Sequence, residues 1–170
     1  MKIKLSLICA LLAGVCLNTP LAFASPYSAS SSGDEITDMR TGIIWRRCAE
    51  GMTWDGTTCT GTALSITHSS AEALAQQEAK KTQKAWRLPS FKELKSLQAP
   101  GQPGQLLDPD AFPATPEMWF WSVFIDKPGV IDAYNIYFGS GKMGSFDGRD
   151  CQYGAVRLVR SGRKISAKNK

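Results

Sequence analysis

The chain has 170 residues, 20 Lys+Arg against 15 Asp+Glu, one His and a net charge of +5. That length holds one domain with a real hydrophobic core. A lone histidine with no neighbouring cysteine excludes a metal centre by spacing, and only the first residues are apolar enough to suggest contact with a membrane.

Residues 1–24 read as an export signal. Lys2 and Lys4 form a basic start, residues 5–17 are apolar but short for a span, and Ala22-Phe23-Ala24 is a small-x-small cleavage site. The mature chain is expected to begin at Ser25, without a transmembrane anchor. Cys16 follows Gly14-Val15, and Val directly before the Cys does not suit a lipobox. Cleavage leaves 18 cations against 15 anions, and Arg163, Lys164, Lys168 and Lys170 sit in the last eight residues. The body is therefore near neutral. Its basicity belongs to residues 162–170, expected to be a disordered tail that adds non-specific attraction to anionic partners but no specific nucleic-acid recognition.

Residues 25–36 are rich in Ser, Ala and Pro and read as a flexible lead-in to a domain over 37–161. Gly42-Ile43-Ile44-Trp45 is a short strand after a turn at residues 39–42. Of the cysteines left after export, Cys48, Cys59 and Cys151, an oxidising compartment favours a Cys48–Cys59 disulfide, because Asp55-Gly56 between them is a turn signal. Cys151 is then odd: a buried thiol, a rival partner for Cys48, or the group of a thiol-dependent enzyme. Residues 62–67 alternate weakly and suggest a strand. Ser69-Ser70-Ala71-Glu72 reads as a capping box opening a helix to about Lys81, with a thin apolar face of Ala71, Leu74, Ala75 and Ala79. His68 is expected at the surface or beside that cap.

Pro89 disfavours helix at Leu88, and Ser90-Phe91-Lys92-Glu93 is a second capping box, opening a helix that buries Phe91, Leu94 and Leu97. Residues 99–104 are a loop, and Asp108 and Asp110 suit a turn. Residues 118–124 form an apolar run typical of a strand covered on both faces, and residues 131–138 alternate. A Gly-rich segment, 139–148, leads to a last strand over 155–160, expected to neighbour the one before it. Helices early and strands late predict an α+β fold.

Several of these pieces recur together. Residues 38–48 contain Thr41-Gly42-Ile43-Ile44-Trp45; Trp86-Arg87-Leu88-Pro89 with Glu93 follows; then Trp121; then Val156-Arg157-Leu158-Val159-Arg160. The set resembles the Lcl C-terminal domain family, named for the terminal domain of a bacterial collagen-like adhesin. The resemblance implies a C-type lectin-like scaffold, two short helices on a small twisted antiparallel sheet with long loops. It also implies a bacterial secreted or periplasmic module of the adhesion type, with sulfated glycans the ligands of the founding adhesin. It implies that Trp45, Trp86, Arg87, Leu88, Pro89, Glu93, Trp121, Val156, Arg157 and Arg160 are structural signature residues. The collagen-like repeat of that adhesin is absent, and Gln102-Pro103-Gly104 lacks the carboxylate of a calcium-dependent lectin motif, so neither calcium nor any other cofactor is expected.

The function expected is a non-catalytic binding module for an anionic glycan or another envelope protein, contacting it through loops at 100–118 and 139–153. Trp119, Trp121, Lys142, Arg149 and Arg157 are the candidate ligand contacts, two aromatics for stacking and three cations for an anion. A structural accessory of a pilus or secretion apparatus, and a thiol enzyme using Cys151, remain as alternatives.

Overall fold

The Ile43–Trp45 run forms the centre of a sheet whose outermost partners come from opposite ends of the chain. In a computed structural model describing residues 25–98, 107–127, 130–138, 143–147 and 152–162, β1 (Tyr27–Ala29), β2 (Glu35–Asp38), β3 (Ile43–Arg46) and β9 (Val159–Ser161) pair antiparallel in that order. A two-stranded hairpin, β4 (Met52–Trp54) with β5 (Cys59–Gly61), follows β3. Two helices, α1 (His68–Thr82) and α2 (Phe91–Ser96), precede an antiparallel sheet of β6 (Trp119–Lys127), β7 (Val130–Tyr137) and β8 (Met143–Asp147). The architecture is a small α+β fold, as its sequence pattern implies.

The segment read as a lead-in supplies β1 and the start of β2 instead. Its serines build a turn: the Ser30 and Ser32 hydroxyls donate to the Asp34 carboxylate, Gly33 N donates to Ser30 O at 3.0 Å, and Ser30 N donates to Glu35 O at 2.9 Å. Gly33 has φ +77°, and a Cβ there would lie 2.5 Å from the Trp54 indole nitrogen, so the residue is needed for both its backbone and its lack of side chain. A composition that suggests disorder here serves a hairpin.

Helix α1 begins two residues earlier than its apparent capping box. Thr67 is the N-cap and accepts from Ser70 N, while Glu72 lies 3.9 Å from the His68 ring. The reason is burial: starting at His68 turns its ring inward, T-shaped against Trp121 at 5.4 Å, with Nε2 2.9 Å from Ser122 O. The surface position expected for His68 is thus corrected to a fully buried one. Ala71 and Ala75 are small enough to bring the helix close to Trp121, Val156 and Leu158. Helix α2 carries the full capping box: Glu93 N donates to the Ser90 hydroxyl at 3.2 Å and Ser90 N to Glu93 Oε2 at 2.7 Å.

Three further expectations change. Residues 62–67 are not a strand; only Ile66 makes an isolated bridge, to Gly154. The Gly-rich stretch contains β8, which takes the place beside β7 expected for the C-terminal strand. Residues 154–161 instead run as a strap: Ala155 bridges Phe120 in parallel, Val159 bridges Arg87, and β9 pairs with β3. Glu50 N donates to Val156 O and Arg46 N to Leu158 O, both at 2.9 Å, so backbone bonds stitch the strap to β3 and its exit. Phe120 and Trp121, adjacent on β6, are both buried, which fits a strand covered on two sides.

Cys48 and Cys59 form the expected disulfide, with Cα atoms 5.5 Å apart across 11 residues, and Asp55 Oδ1 accepts from Thr57 N and Thr58 N at 2.8 Å in the turn between them. Replacing both cysteines by Ser is expected to lower the unfolding free energy by about 3 kcal/mol, measured by urea titration with oxidised native protein as reference.

Candidate functional site

Among the described residues, those expected to meet a ligand do not form one exposed site. Trp121 is buried, its indole N–H donating to Ile66 O at 2.8 Å, so it is core and not half of an exposed shelf. Trp119 is half-buried, its ring 5.5 Å from that of Tyr137. Arg157 has no exposed surface, so no ligand can reach it. Lys142, Arg149 and Cys151 lie outside the described residues, as do 99–106 and much of 139–151. Asp108 takes the turn role expected, its carboxylate accepting from Asp110 N and Ala111 N at 3.0 Å.

The signature cations are spent inside the protein. Arg157 donates to the carbonyls of Arg46 and Arg47 and to the Thr115 hydroxyl, and its guanidinium lies 5.0 Å from the Phe112 ring and 5.7 Å from that of Phe120. Burial pushes its pKa down to about 9, with the Glu50 charge opposing, so it remains a cation at neutral pH. Arg87 forks onto Glu93 at 2.7 and 2.8 Å and reaches Leu88 O at 3.0 Å, tying the loop to the start of α2. The Trp86 indole meets two guanidiniums, Arg46 at 4.7 Å and Arg160 at 5.3 Å. Arg160 and Lys84 both pair with Glu35. Burial pushes the Glu35 carboxyl up, but these two bonds outweigh it and hold the pKa below its ordinary value.

An open cleft lies where the β1–β2 turn faces the disulfide hairpin. It has a volume of about 400 Å³, and its walls include Asp34, Arg46, Cys48, Glu50, Thr53 and Trp54. Local chemistry builds each wall. The Ser30 and Ser32 hydroxyls hold Asp34, and the Ser32 bond is the main reason its pKa is lowered. Gly51, with φ +92°, turns the chain from Glu50 into β4; a Cβ there would lie 2.7 Å from Thr62 O. The Arg47 guanidinium stacks on the Trp54 ring at 3.7 Å and donates to Gly33 O at 3.1 Å and Asp110 O at 2.6 Å, which fixes the indole.

Glu50 is the unusual group of this cleft. Only 13% of its side chain is exposed, and Arg46, 3.9 Å away, gives its nearer bond to Glu78 at 2.8 Å. Burial raises the Glu50 pKa to about 7; Arg46 opposes the rise and Glu78 adds to it. A second cavity of about 360 Å³ beside Tyr27, Leu97 and Asp108 has its one arginine, Arg40, committed to Asp38 at 3.1 and 3.2 Å. Among the described residues no three metal-ligating side chains gather.

Sequence reasoning missed Asp34, Arg46, Glu50 and Trp54 as a group. The available signal was Glu50 and Trp54 inside the loop closed by Cys48 and Cys59, where a charged and an aromatic residue occupy a segment too short to have its own core.

Fold and cleft define a small α+β domain, stapled by a disulfide, with Trp45, Trp86, Trp121 and Arg157 buried. The model of the Lcl C-terminal domain matches residues 34–160, and the chain belongs to that family. No curated protein and no solved structure matches it.

Two measurements probe these buried charges. Arg157→Met leaves two carbonyls without donors and is expected to cost about 3 kcal/mol, whereas Arg157→Lys restores only part, because an ammonium cannot fork; urea titration of both variants checks this. The raised Glu50 pKa means that the folded state holds this proton more tightly than the unfolded chain. The stability it lends is full below the ordinary Glu range and is lost as pH rises through about 7. Glu50→Gln is expected to flatten that part of the pH–stability curve and to exceed the native protein by about 2 kcal/mol in mildly alkaline buffer.

Proposed function

We propose that this chain is an exported, non-catalytic binding module that holds a glycan or an envelope or surface protein outside the cytoplasm, on a scaffold of the C-type lectin-like kind. The observation that carries the reading is the contrast between the two sets of residues above. Trp45, Trp86 and Trp121 are buried in the core, Arg157 gives its donors to backbone carbonyls and Thr115, and Arg87 forks onto Glu93, whereas the Trp54 cleft stays open and polar. Pockets that combine one aromatic wall with a few placed polar groups suit recognition. The export signal in residues 1–24 and a disulfide are consistent with an oxidising compartment, and no helix among the described residues is long and apolar enough to cross a membrane. The basic tail would add salt-sensitive attraction to anionic glycans.

A glycan array probed with residues 25–170 is expected to show selective binding, and the bound sugars to be recovered unchanged. Cleavage of a bound sugar that disappears in Glu50→Gln would instead make the cleft catalytic and overturn the reading.

A further inference from the structure

We infer that the cleft between the β1–β2 turn and the disulfide hairpin binds one ring of an uncharged sugar, with the Trp54 indole under the ring and the Asp34 and Glu50 carboxylates taking its hydroxyls. The inference rests on the binding-module reading and names the site and ligand class within it.

Four features of the cleft lead there. The first is the aromatic wall. A pyranose presents a patch of C–H groups on one face, and a flat indole held in place covers such a patch at little entropic cost. Trp54 is held on two sides: Arg47 stacks on its ring at 3.7 Å, and the Gly33 backbone packs so close to the indole nitrogen that no side chain fits between. The second is the set of acceptors. An ionised carboxylate accepts only, which matches sugar hydroxyls that donate. Asp34 is kept an acceptor by its serine bonds, which hold its pKa down, and Glu50, with a pKa raised to about 7, can accept or, when protonated, donate. The Ser32 and Thr53 hydroxyls on the same walls can donate or accept.

The third feature is charge. Both arginines at the cleft are already engaged, Arg46 by Glu78 and Arg47 by two carbonyls. A sulfate or carboxylate entering would meet the Asp34 charge without a free guanidinium to offset it, which selects against an anionic ligand. A bare cation would meet Asp34 with the Arg46 guanidinium on the same walls and gain little. A neutral polyhydroxylated ring is the chemistry left. The fourth is rigidity and size. About 400 Å³ falls in the range of small-ligand sites, and its walls are pinned by the Cys48–Cys59 disulfide, the Ser30–Asp34 turn and the Glu50–Val156 backbone bond. A preformed site loses little freedom when a ring enters it.

The test is NMR titration of ¹⁵N-labelled residues 25–170 with chitotriose, maltotriose and, separately, a heparin-derived tetrasaccharide. The expected result is that at least one neutral trisaccharide shifts the Trp54 indole N–H and the amides of residues 32–34 and 46–54. Trp54→Ala and the milder Asp34→Asn should each weaken that binding by at least about tenfold, with near-ultraviolet circular dichroism retained in Asp34→Asn as evidence of an intact fold. The inference is overturned if neither neutral sugar binds, or if one binds with shifts elsewhere and an affinity that Asp34→Asn leaves unchanged. Heparin binding mapped away from the cleft, with no neutral sugar bound, would overturn the inference while leaving the binding-module reading standing.

Discussion

The buried guanidinium of Arg157 is the constraint on which the rest of the structure depends. Among the described residues no carboxylate hydrogen-bonds to it. It is held by the carbonyls of Arg46 and Arg47, the Thr115 hydroxyl and the rings of Phe112 and Phe120, two stretches far from each other and from Arg157 in sequence. A planar fork of donors fits such a site because two carbonyls at a strand end can be served by one side chain. Once those carbonyls are committed, the direction in which β3 leaves the sheet is fixed. So are the directions of the Arg46 and Arg47 side chains, one toward Glu78 and Trp86, the other onto Trp54. The cleft is therefore shaped from inside, by a residue that does not line it.

Around that centre, charge is used internally. Lys84 and Arg160 share Glu35, Arg46 pairs with Glu78 and lies near Glu50, and Arg87 forks onto Glu93. Trp86 lies within cation–π range of Arg46 and Arg160. Such half-buried clusters are sensitive to the removal of one member, because the remaining charge is left poorly solvated. Glu50, whose neighbour Arg46 gives its nearer bond to Glu78, lines the open cleft.

How much of this was legible in the sequence depends on how local the deciding interaction is. The Ser90–Glu93 box and the Asp55-Gly56 turn inside Cys48–Cys59 are settled within a few residues, and the structure has them as read. At the start of α1, Thr67 and Ser69 both satisfy the local rule, and burial of His68 against β6 selects Thr67. The partner of the last strand was not legible: β9 pairs with β3 more than a hundred residues away, and alternation alone cannot separate β3 from β7 as its neighbour. Two of the expected ligand contacts, Trp121 and Arg157, are buried for a related reason. Tryptophan and arginine are the residue types of both binding surfaces and packed cores, and the same letters at Trp121 and Arg157 serve the core. The groups that line the cleft are brought together by a hairpin, a turn and a disulfide that no spacing rule connects.

The order in which β3 finds its neighbours has a consequence for biogenesis. The Cys48–Cys59 link and the β1–β2–β3 meander can form from contiguous chain before the C-terminal residues are in place. The far edge of β3, however, stays bare until Val159–Ser161 arrives, and Arg157 travels with that same strap. An unpaired strand edge invites pairing with other chains. The sheet is therefore completed only once residues 159–161 are available to pair. A molecule stalled short of its final strand would carry a correct covalent staple and an adhesive, unfinished sheet.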